Sequence, residues 1–253
     1  MFKKTRLLAG LTIGCVLSTP AAFAEEYKGF YVGAWGGSGS IDFFSKGEYD
    51  GIITGNLPTE VALLPGTVAL TGIGTSSLDD SLSVWGAQIG YRFGKYVAVE
   101  AGYVNLGELS YQLPGLVSGT YIVTNDDGTT TTYTLNGAIE RGTQLTSTGI
   151  TGAVLGMFPI NEKFDVHARA GLYLADTRLT DRIRFVSSDP VVNLAHRRTD
   201  ASETELLAGV GATWNINESF SLRVEYQKFF DIGDDEKTGE SDIDVVNLSV
   251  LFR

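Results

Sequence analysis

The sequence predicts an all-β fold, an eight-stranded antiparallel up-and-down transmembrane β-barrel, on three observations. Eight segments alternate apolar residues with polar or small ones, at the period of two that β-strands have. The connections between them are alternately short and long, as is typical of outer-membrane barrels with periplasmic turns and extracellular loops. The second face of the strands is charged, whereas a soluble lipocalin-like barrel would keep its apolar face inside.

The composition argues against a nucleic-acid-binding protein, a disordered chain and a helical membrane protein. The 253 residues include 19 Lys and Arg against 30 Asp and Glu, a formal net charge of −11. Nucleic-acid binding requires clustered cations for phosphate contacts, so this balance argues against a nucleic-acid partner. Hydrophobic residues make up 43% of the chain, which is enough for a folded domain. After residue 24 no apolar stretch reaches the 18 residues of a membrane-spanning helix.

Residues 1–24 are predicted to be a Sec signal peptide that is cleaved after Ala24. A basic start precedes an apolar run and an Ala-Phe-Ala motif at residues 22–24, which matches the A-x-A cleavage pattern. Cys15 lies in a weak lipobox-like context, but lipidation there would leave the Ala-Phe-Ala motif without a purpose. Residues 25–253 are therefore expected to form one barrel domain without cysteine, disulfide or thiolate metal site.

Eight strands of roughly ten residues are predicted, the length that a tilted membrane-spanning strand needs. They cover residues 27–38, 81–93, 96–106, 146–158, 163–175, 204–215, 219–230 and 244–252. The three short periplasmic turns are residues 94–95, 159–162 and 216–218. The four long extracellular loops are residues 39–80, 107–143, 176–203 and 231–243.

Features within these segments add detail. Aromatic residues near the strand ends are expected to form interfacial girdles. These are Trp35, Phe93, Tyr96, Phe158, Trp214 and Phe220. In the second loop, residues 120–135 predict a projecting β-hairpin that turns at Asp127-Gly128. The first loop is unusually apolar, which fits either an exposed contact surface or packing over the barrel mouth.

Several short motifs resemble the transmembrane domain of OmpA-type proteins. They are Gly-Ala at 33–34, Val-Glu-Ala-Gly-Tyr at 99–103, Pro-Ile at 159–160, Arg-Ala-Gly at 169–171, Ala-Asp-Thr at 175–177, Arg-Val-Glu-Tyr-Gln at 223–227 and Asp-Ile-Gly-Asp at 231–234. The resemblance covers nearly all of residues 27–252 in order, although the long loops match little. It implies an eight-stranded barrel inserted by the barrel-assembly machinery, with a packed polar lumen rather than a wide pore.

The same resemblance also has departures. No peptidoglycan-binding domain follows the barrel in this sequence, so a cell-wall anchoring role is not expected. Glu100 and Arg223 match two positions of the charged lumen gate of the family. Leu155 and Thr213 stand where the family has a lysine and a second glutamate, so a switching gate is not expected.

The charged strand face is the first candidate site. Five residues are expected to point into the lumen as a charge network: Glu100, Arg169, Arg223, Glu225 and Arg92. Side chains just fill an eight-stranded lumen, and buried charges there must be paired. The favoured interpretation is a structural salt-bridge network, and a proton or small-ion leak path is the alternative.

The third loop supplies the second candidate site, a set of arginines at the outer-leaflet rim. Arg178, Arg182, Arg184, Arg197 and Arg198 are candidate contacts to lipopolysaccharide phosphates. Pairing within an extended hairpin, with Asp176, Asp181, Asp189 and Asp200, explains them equally well. The acidic residues of the fourth loop match no calcium-binding spacing, so a solvated loop is favoured over a cation site.

No enzyme activity, cofactor or metal is predicted. His167 is expected to point inward and His196 to lie in a loop, and the spacing of these two histidines supplies no third metal ligand. The first function hypothesis is a monomeric outer-membrane surface protein that supports envelope integrity. The alternatives are an adhesin that binds a host surface ligand through its long loops and, less favoured, a low-conductance channel. Outer-membrane lipid and lipopolysaccharide are expected neighbours.

Overall fold

The computed structural model describes residues 28–41, 46–125, 127–187, 191–234 and 239–253. The predicted signal peptide, including Cys15, lies outside these ranges. The described residues form one helix and ten strands: β1 (Gly29–Ile41), α1 (Lys46–Ala62), β2 (Ala69–Ile73), β3 (Ser77–Asp79), β4 (Ser81–Arg92), β5 (Val97–Thr124), β6 (Thr130–Pro159), β7 (Phe164–Phe185), β8 (Val192–Asn215), β9 (Phe220–Asp234) and β10 (Gly239–Phe252). No helix among the described residues has the length and apolar character needed to cross a membrane.

Eight of the strands close into a ring of antiparallel neighbours, which confirms the predicted barrel. The order around the ring is β1, β4, β5, β6, β7, β8, β9 and β10. The first and last strands close it, with pairs running from Val32 opposite Phe252 to Ile41 opposite Ile243. Closure leaves no unpaired backbone edge within the ring, a condition that a β-sheet must meet in lipid.

The outward face of the ring is a lipid-facing band. On β7 and β8 the exposed positions are apolar up to Leu174 and Leu206, and polar beyond them. Five of the six predicted girdle aromatics are exposed: Phe93, Tyr96, Phe158, Trp214 and Phe220. Trp35 was predicted wrongly, because it is buried and its indole lies over Gly86, where a Cβ atom would come within 2.5 Å. The glycines of β1 and β4 leave room inside the barrel for this large ring.

Four strands continue far beyond the lipid-facing band, so two of the predicted long loops are mostly strand. β5 and β6 are 28 and 30 residues long and remain paired up to Thr124 opposite Thr130. The predicted hairpin is therefore present, with Gly128 at a φ of +81° in its turn. The predicted strand ends were too early because outward positions above the membrane face water. The apolar alternation stops there while backbone pairing continues.

The first long loop folds onto this extension. β2 and β3 pair with β5, and α1 contributes Ile53, Leu57 and Val61, one helical turn apart, to a second hydrophobic core. This second core comprises Ile53, Leu57, Val61, Leu64, Val68, Tyr111, Leu113, Val117, Tyr121, Leu135, Ile139, Ile183, Phe185 and Leu194. Five apolar residues of the loop, Ile53, Leu57, Val61, Leu64 and Val68, are therefore buried against the extended strands, which favours packing over an exposed contact surface.

Hydrogen bonds and one ion pair also attach α1 to the strands. Asp50 accepts hydrogen bonds from the hydroxyl of Tyr111, at 2.8 Å, and from Ser76. At the other end of the helix, Glu60 Oε2 lies 3.4 Å from Arg141 Nε. Burial, together with the hydrogen bond to Asp50, raises the pKa of Tyr111 to about 12. The helix is thus attached to the extended strands near both of its ends.

Candidate functional site

Glu100 is the centre of a buried charge cluster in the lumen. Its carboxylate accepts hydrogen bonds from the Tyr31 hydroxyl at 2.6 Å, from Arg223 Nη1 at 2.6 Å and from Arg169. Each of these side chains is almost fully buried. Because strand alternation aims Glu100, Arg169 and Arg223 inward from three different strands, the closed ring brings them together.

Glu225 extends the cluster on the side of Arg169. Its Oε1 lies 3.2 Å from Arg169 Nη1 and 3.5 Å from His167 Nε2. Arg223 also donates from Nε to Thr213 Oγ1 at 3.3 Å. Two carboxylates therefore face two guanidinium groups, which is the balance that buried charges require. Of the five predicted network residues, four meet here: Glu100, Arg169, Arg223 and Glu225.

Arg92 is buried as predicted, but its ion pair is with Asp165 rather than with one of the other four predicted residues. It is the last residue of β4, and its guanidinium group is 3.1 Å from Asp165 Oδ2. It also donates to the backbone carbonyls of Gly94 and Lys95 in the adjacent periplasmic turn. Asp165 was missed as its partner, although alternation along β7 places that residue on the lumen face. Tyr31, a partner of Glu100, carried no charge that could have marked it in the sequence.

An apolar layer lies above the charge cluster. Tyr173 and Phe229 stand four residues further along β7 and β9 than Arg169 and Glu225, toward the extracellular ends. Their rings pack edge to face with centroids 5.2 Å apart. Both are completely buried, in one hydrophobic cluster with further lumen side chains such as Leu106. Above the charges the lumen therefore contains a layer of aromatic and aliphatic groups, with buried hydroxyl groups such as those of Ser147 and Thr177 beside it.

The rim arginines are divided among different environments. Arg178 Nε and Arg198 Nε each lie 2.9 Å from Asp200, on the outer wall above the lipid-facing band. Hydrogen bonds from Arg198 and Arg178 hold the pKa of the Asp200 carboxyl below its usual range. Arg184 pairs with Glu140. Three of the five arginines therefore bind acidic side chains of this chain.

The other two rim arginines, Arg182 and Arg197, form no ion pair with any carboxylate in the described ranges. The side chain of Arg182 lies across Gly142 on the outer wall. Arg197 belongs to β8, where it is exposed and stands opposite Asp181. Asp181 instead binds Arg141 Nη1 at 2.8 Å. Asp189, one of the predicted internal partners, lies outside the described residues.

Two smaller predictions concern the fourth loop and His196. Lys228 Nζ lies 2.9 Å from Asp242 and 3.9 Å from Asp244, so both carboxylates have a cation of this chain nearby. Within the part of the chain that the structure describes, no group of three or more His, Cys, Asp or Glu could hold a metal ion.

His196 was wrongly expected in a loop. It lies in β8 opposite Arg182, because that hairpin is strand almost to its tip.

Comparison with known proteins gives a consistent result. A family model of the OmpA-like transmembrane domain matches residues 26–253. Outer membrane protein A of Shigella dysenteriae is 30% identical over 172 residues, and so is that of Escherichia fergusonii. These matches cover 66% of this chain and 39% of each relative, so the chain spans well under half the length of the relatives.

Among solved structures, Neisserial surface protein A gives a TM-score of 0.44 with 11% identity over 88% of this chain and 96% of that one. The attachment invasion locus protein Ail of Yersinia pestis gives a TM-score of 0.41 with 11% identity, covering 89% and 98% of the two chains.

Proposed function

Because this chain belongs to the family of OmpA-like transmembrane domains and is an outer-membrane β-barrel, we propose that it supports envelope integrity as a closed structural barrel without enzyme activity. It presents a folded extension at the cell surface. The proposal concerns this domain only, since the relatives are longer than the matched region.

The closed interior of the barrel is the observation that carries this proposal. A channel needs a continuous polar path, and here the buried charges are paired with one another. The next layer toward the outside contains Tyr173, Phe229 and Leu106, which have no more than 1% of their surface exposed. Above that layer α1 packs into the second core. Ions or water would have to displace the aromatic and aliphatic layer inside the ring, so a static structural role fits better than conduction.

Envelope integrity is tested by deleting the gene and measuring sensitivity to detergents and to antibiotics too large for porins. We expect the deletion to sensitise cells and the wild-type chain to restore resistance. Unchanged sensitivity in the deletion strain would contradict the structural role. Planar-bilayer recording of the purified barrel tests closure separately, because discrete openings would show that the lumen conducts.

A second function, binding of a host surface ligand, is favoured by the extracellular extension. Strands β5 to β8 extend well beyond the lipid-facing band and have their own hydrophobic core. Spanning the membrane does not require such an extension, so it favours a function at the cell surface. The matched test displays the intact barrel and a variant in which residues 122–132 are replaced by Asn-Gly. This change shortens the hairpin above the Tyr121–Tyr133 pair while keeping its register. Adhesion that persists without the tip would assign binding elsewhere, and no adhesion at all would exclude this function.

Lipopolysaccharide is the proposed outer-leaflet partner of the rim. Arg182 supports this proposal, because it lies on the outer wall and has no carboxylate partner in the described ranges. We expect R182Q to lower the amount of lipopolysaccharide that co-purifies with the barrel, and R184Q, whose arginine is already paired, to change it less. Equal retention by both variants would remove Arg182 as a contact. We also propose that the barrel is monomeric and is inserted by the barrel-assembly machinery.

A further inference from the structure

A groove opens on the extracellular extension between the end of α1 and the β7–β8 hairpin. Its volume is about 410 Å³, within the range of ligand clefts. Its apolar lining comprises Leu63, Leu64, Pro65, Ile183, Leu194 and Ala195. Leu63 is 79% exposed beside this groove, an unusual position for a large aliphatic side chain. The groove therefore combines an apolar lining with five charged side chains, Glu60, Arg141, Asp181, Arg182 and Arg197, outside the lipid-facing band.

One of the strands that line the groove, β8, has an unpaired edge above the lipid-facing band. β8 pairs with β7 along its whole length, but its pairing with β9 begins only at Leu207. From Val192 to Thr204 the other edge of β8 has no strand partner among the described residues. Such an edge offers a row of backbone donors and acceptors to an added strand.

The positive charge of Arg197 beside this edge favours an acidic ligand. Ala195 and Arg197 both line the groove, two residues apart along β8, so they point to the same side. Of the four other charged residues that line the groove, Glu60 and Asp181 each pair with Arg141, and Arg182 forms no ion pair with a carboxylate in the described ranges. Arg197 is left without a carboxylate in the described ranges, in a chain whose formal net charge is −11. Cations on an edge repel a second copy of the same edge and attract an acidic strand.

We propose that the groove and the free edge of β8 bind an extended peptide segment of a surface partner, with an apolar and an acidic residue on the same face. The segment adds to β8 as a further strand. Its apolar residue packs on Leu63 and Ala195, and its acidic residue, two positions away, binds Arg197. The inference rests on the second proposed function, ligand binding at the surface, and names its site and the chemistry of its partner.

The test measures peptide binding by fluorescence anisotropy to the full barrel in detergent micelles. The probe is a labelled peptide with the sequence Thr-Val-Thr-Glu repeated twice, which places Val and Glu on one face of a strand. The first control replaces Glu with Lys, and the second carries N-methyl groups at alternate residues to block edge pairing. We expect the acidic peptide to bind at least about tenfold more tightly than either control. The Lys control loses the ion pair with Arg197, and the N-methylated control loses the backbone hydrogen bonds to β8.

Two variants locate the site, and R178E is their matched control, because Arg178 lies on the outer wall of the same hairpin. R197E is expected to weaken binding of the acidic peptide about tenfold and to favour the Lys control. L63D is expected to weaken binding through lost apolar contact. The gel mobility of unboiled protein verifies that each variant is folded.

Several outcomes would overturn the proposal. Binding that is insensitive to N-methylation excludes strand addition, and binding equally weakened by R178E and R197E excludes this groove. No binding of the acidic peptide by folded wild-type protein also overturns it. Cell adhesion by the R197E barrel distinguishes a failure of the proposed surface function from a failure of the proposed binding site. If adhesion persists while peptide binding is lost, the surface function is retained and the groove does not mediate adhesion. If wild-type cells do not adhere but the peptide binds, the surface function fails and the site stands.

Discussion

Replacing Glu100 with glutamine removes the carboxylate that two buried arginines share, while leaving the size of the side chain almost unchanged. Arg169 retains Glu225, at 3.2 Å. Arg223 has its ion pair with Glu100 and is 2% exposed, so E100Q leaves this guanidinium group buried without its counter-charge. Removing one partner of a buried pair costs about 3–5 kcal/mol. This corresponds to roughly a hundred- to several-thousand-fold change in the equilibrium constant of unfolding.

The double variant E100Q/R223M provides the internal control. It removes one negative and one positive charge, so no counter-charge is missing from the cluster. Replacing both partners of a buried pair by groups of similar size is often close to neutral. We therefore expect R223M to recover most of the stability that E100Q loses, and the double-mutant cycle to give a coupling energy above about 3 kcal/mol.

Equilibrium urea unfolding from lipid vesicles measures these differences. Trp85 and Trp214 are exposed on the lipid-facing wall, so their fluorescence reports the loss of the membrane environment. The mobility of unboiled protein in gels reports the folded fraction independently. An E100Q barrel that unfolds at the wild-type urea concentration would refute the argument that charge pairing stabilises the lumen. A double variant whose loss equals the sum of the two single losses would refute the coupling.

Three further predictions follow from the packing and from the second core. L57A, at a completely buried position of α1, should destabilise the second core by about 2–5 kcal/mol and open the first loop to protease, while the unboiled gel mobility stays unchanged. G90A places a methyl group 2.3 Å from the Tyr31 ring and should destabilise the barrel by about 1–3 kcal/mol in urea, whereas G152A meets no neighbouring atom and should be nearly neutral. The pKa of Tyr111 is about 12 when folded and ordinarily about 10, so its contribution is complete below pH 10 and is lost as pH rises toward 12. Protease sensitivity of the first loop should rise over that interval in the wild type and not in Y111F, and an identical rise in both would exclude Tyr111 as the cause.

The sequence predicted the transmembrane part well because lipid imposes a simple pattern. A strand that faces lipid on one side and a packed lumen on the other must alternate, and Leu174 and Arg169 follow that rule. The same pattern correctly placed four charges in one interior. It failed for Trp35, since alternation gives two faces but does not say which aromatic lies inside. Glycines on neighbouring strands decided that, through cross-strand packing that a single strand does not show.

The extracellular part was predicted less well because its signals are weaker and partly conflicting. Ile53, Leu57 and Val61 have the spacing of a helix face. Gly51, Gly55 and Pro58 surround them and have poor helix propensity. Burial of the apolar face in the second core supplies what local propensity lacks. The ends of β5 and β6 were missed for a related reason, because above the membrane the outward residues face water and no longer need to be apolar.

Packing and charge pairing within the fold account for the positions of most large apolar and charged side chains, but not for Leu63 and Arg197. In the lumen the carboxylates and guanidinium groups around Glu100 pair with one another, and in the second core the large apolar side chains pack together. Leu63 and Arg197 differ, since the leucine is exposed beside an apolar groove and the arginine stands at a strand edge without a carboxylate in the described ranges. Violations of the folding rules tend to concentrate where a protein binds something else. The β8 edge is therefore a more specific candidate for partner binding than the overall length of the loops.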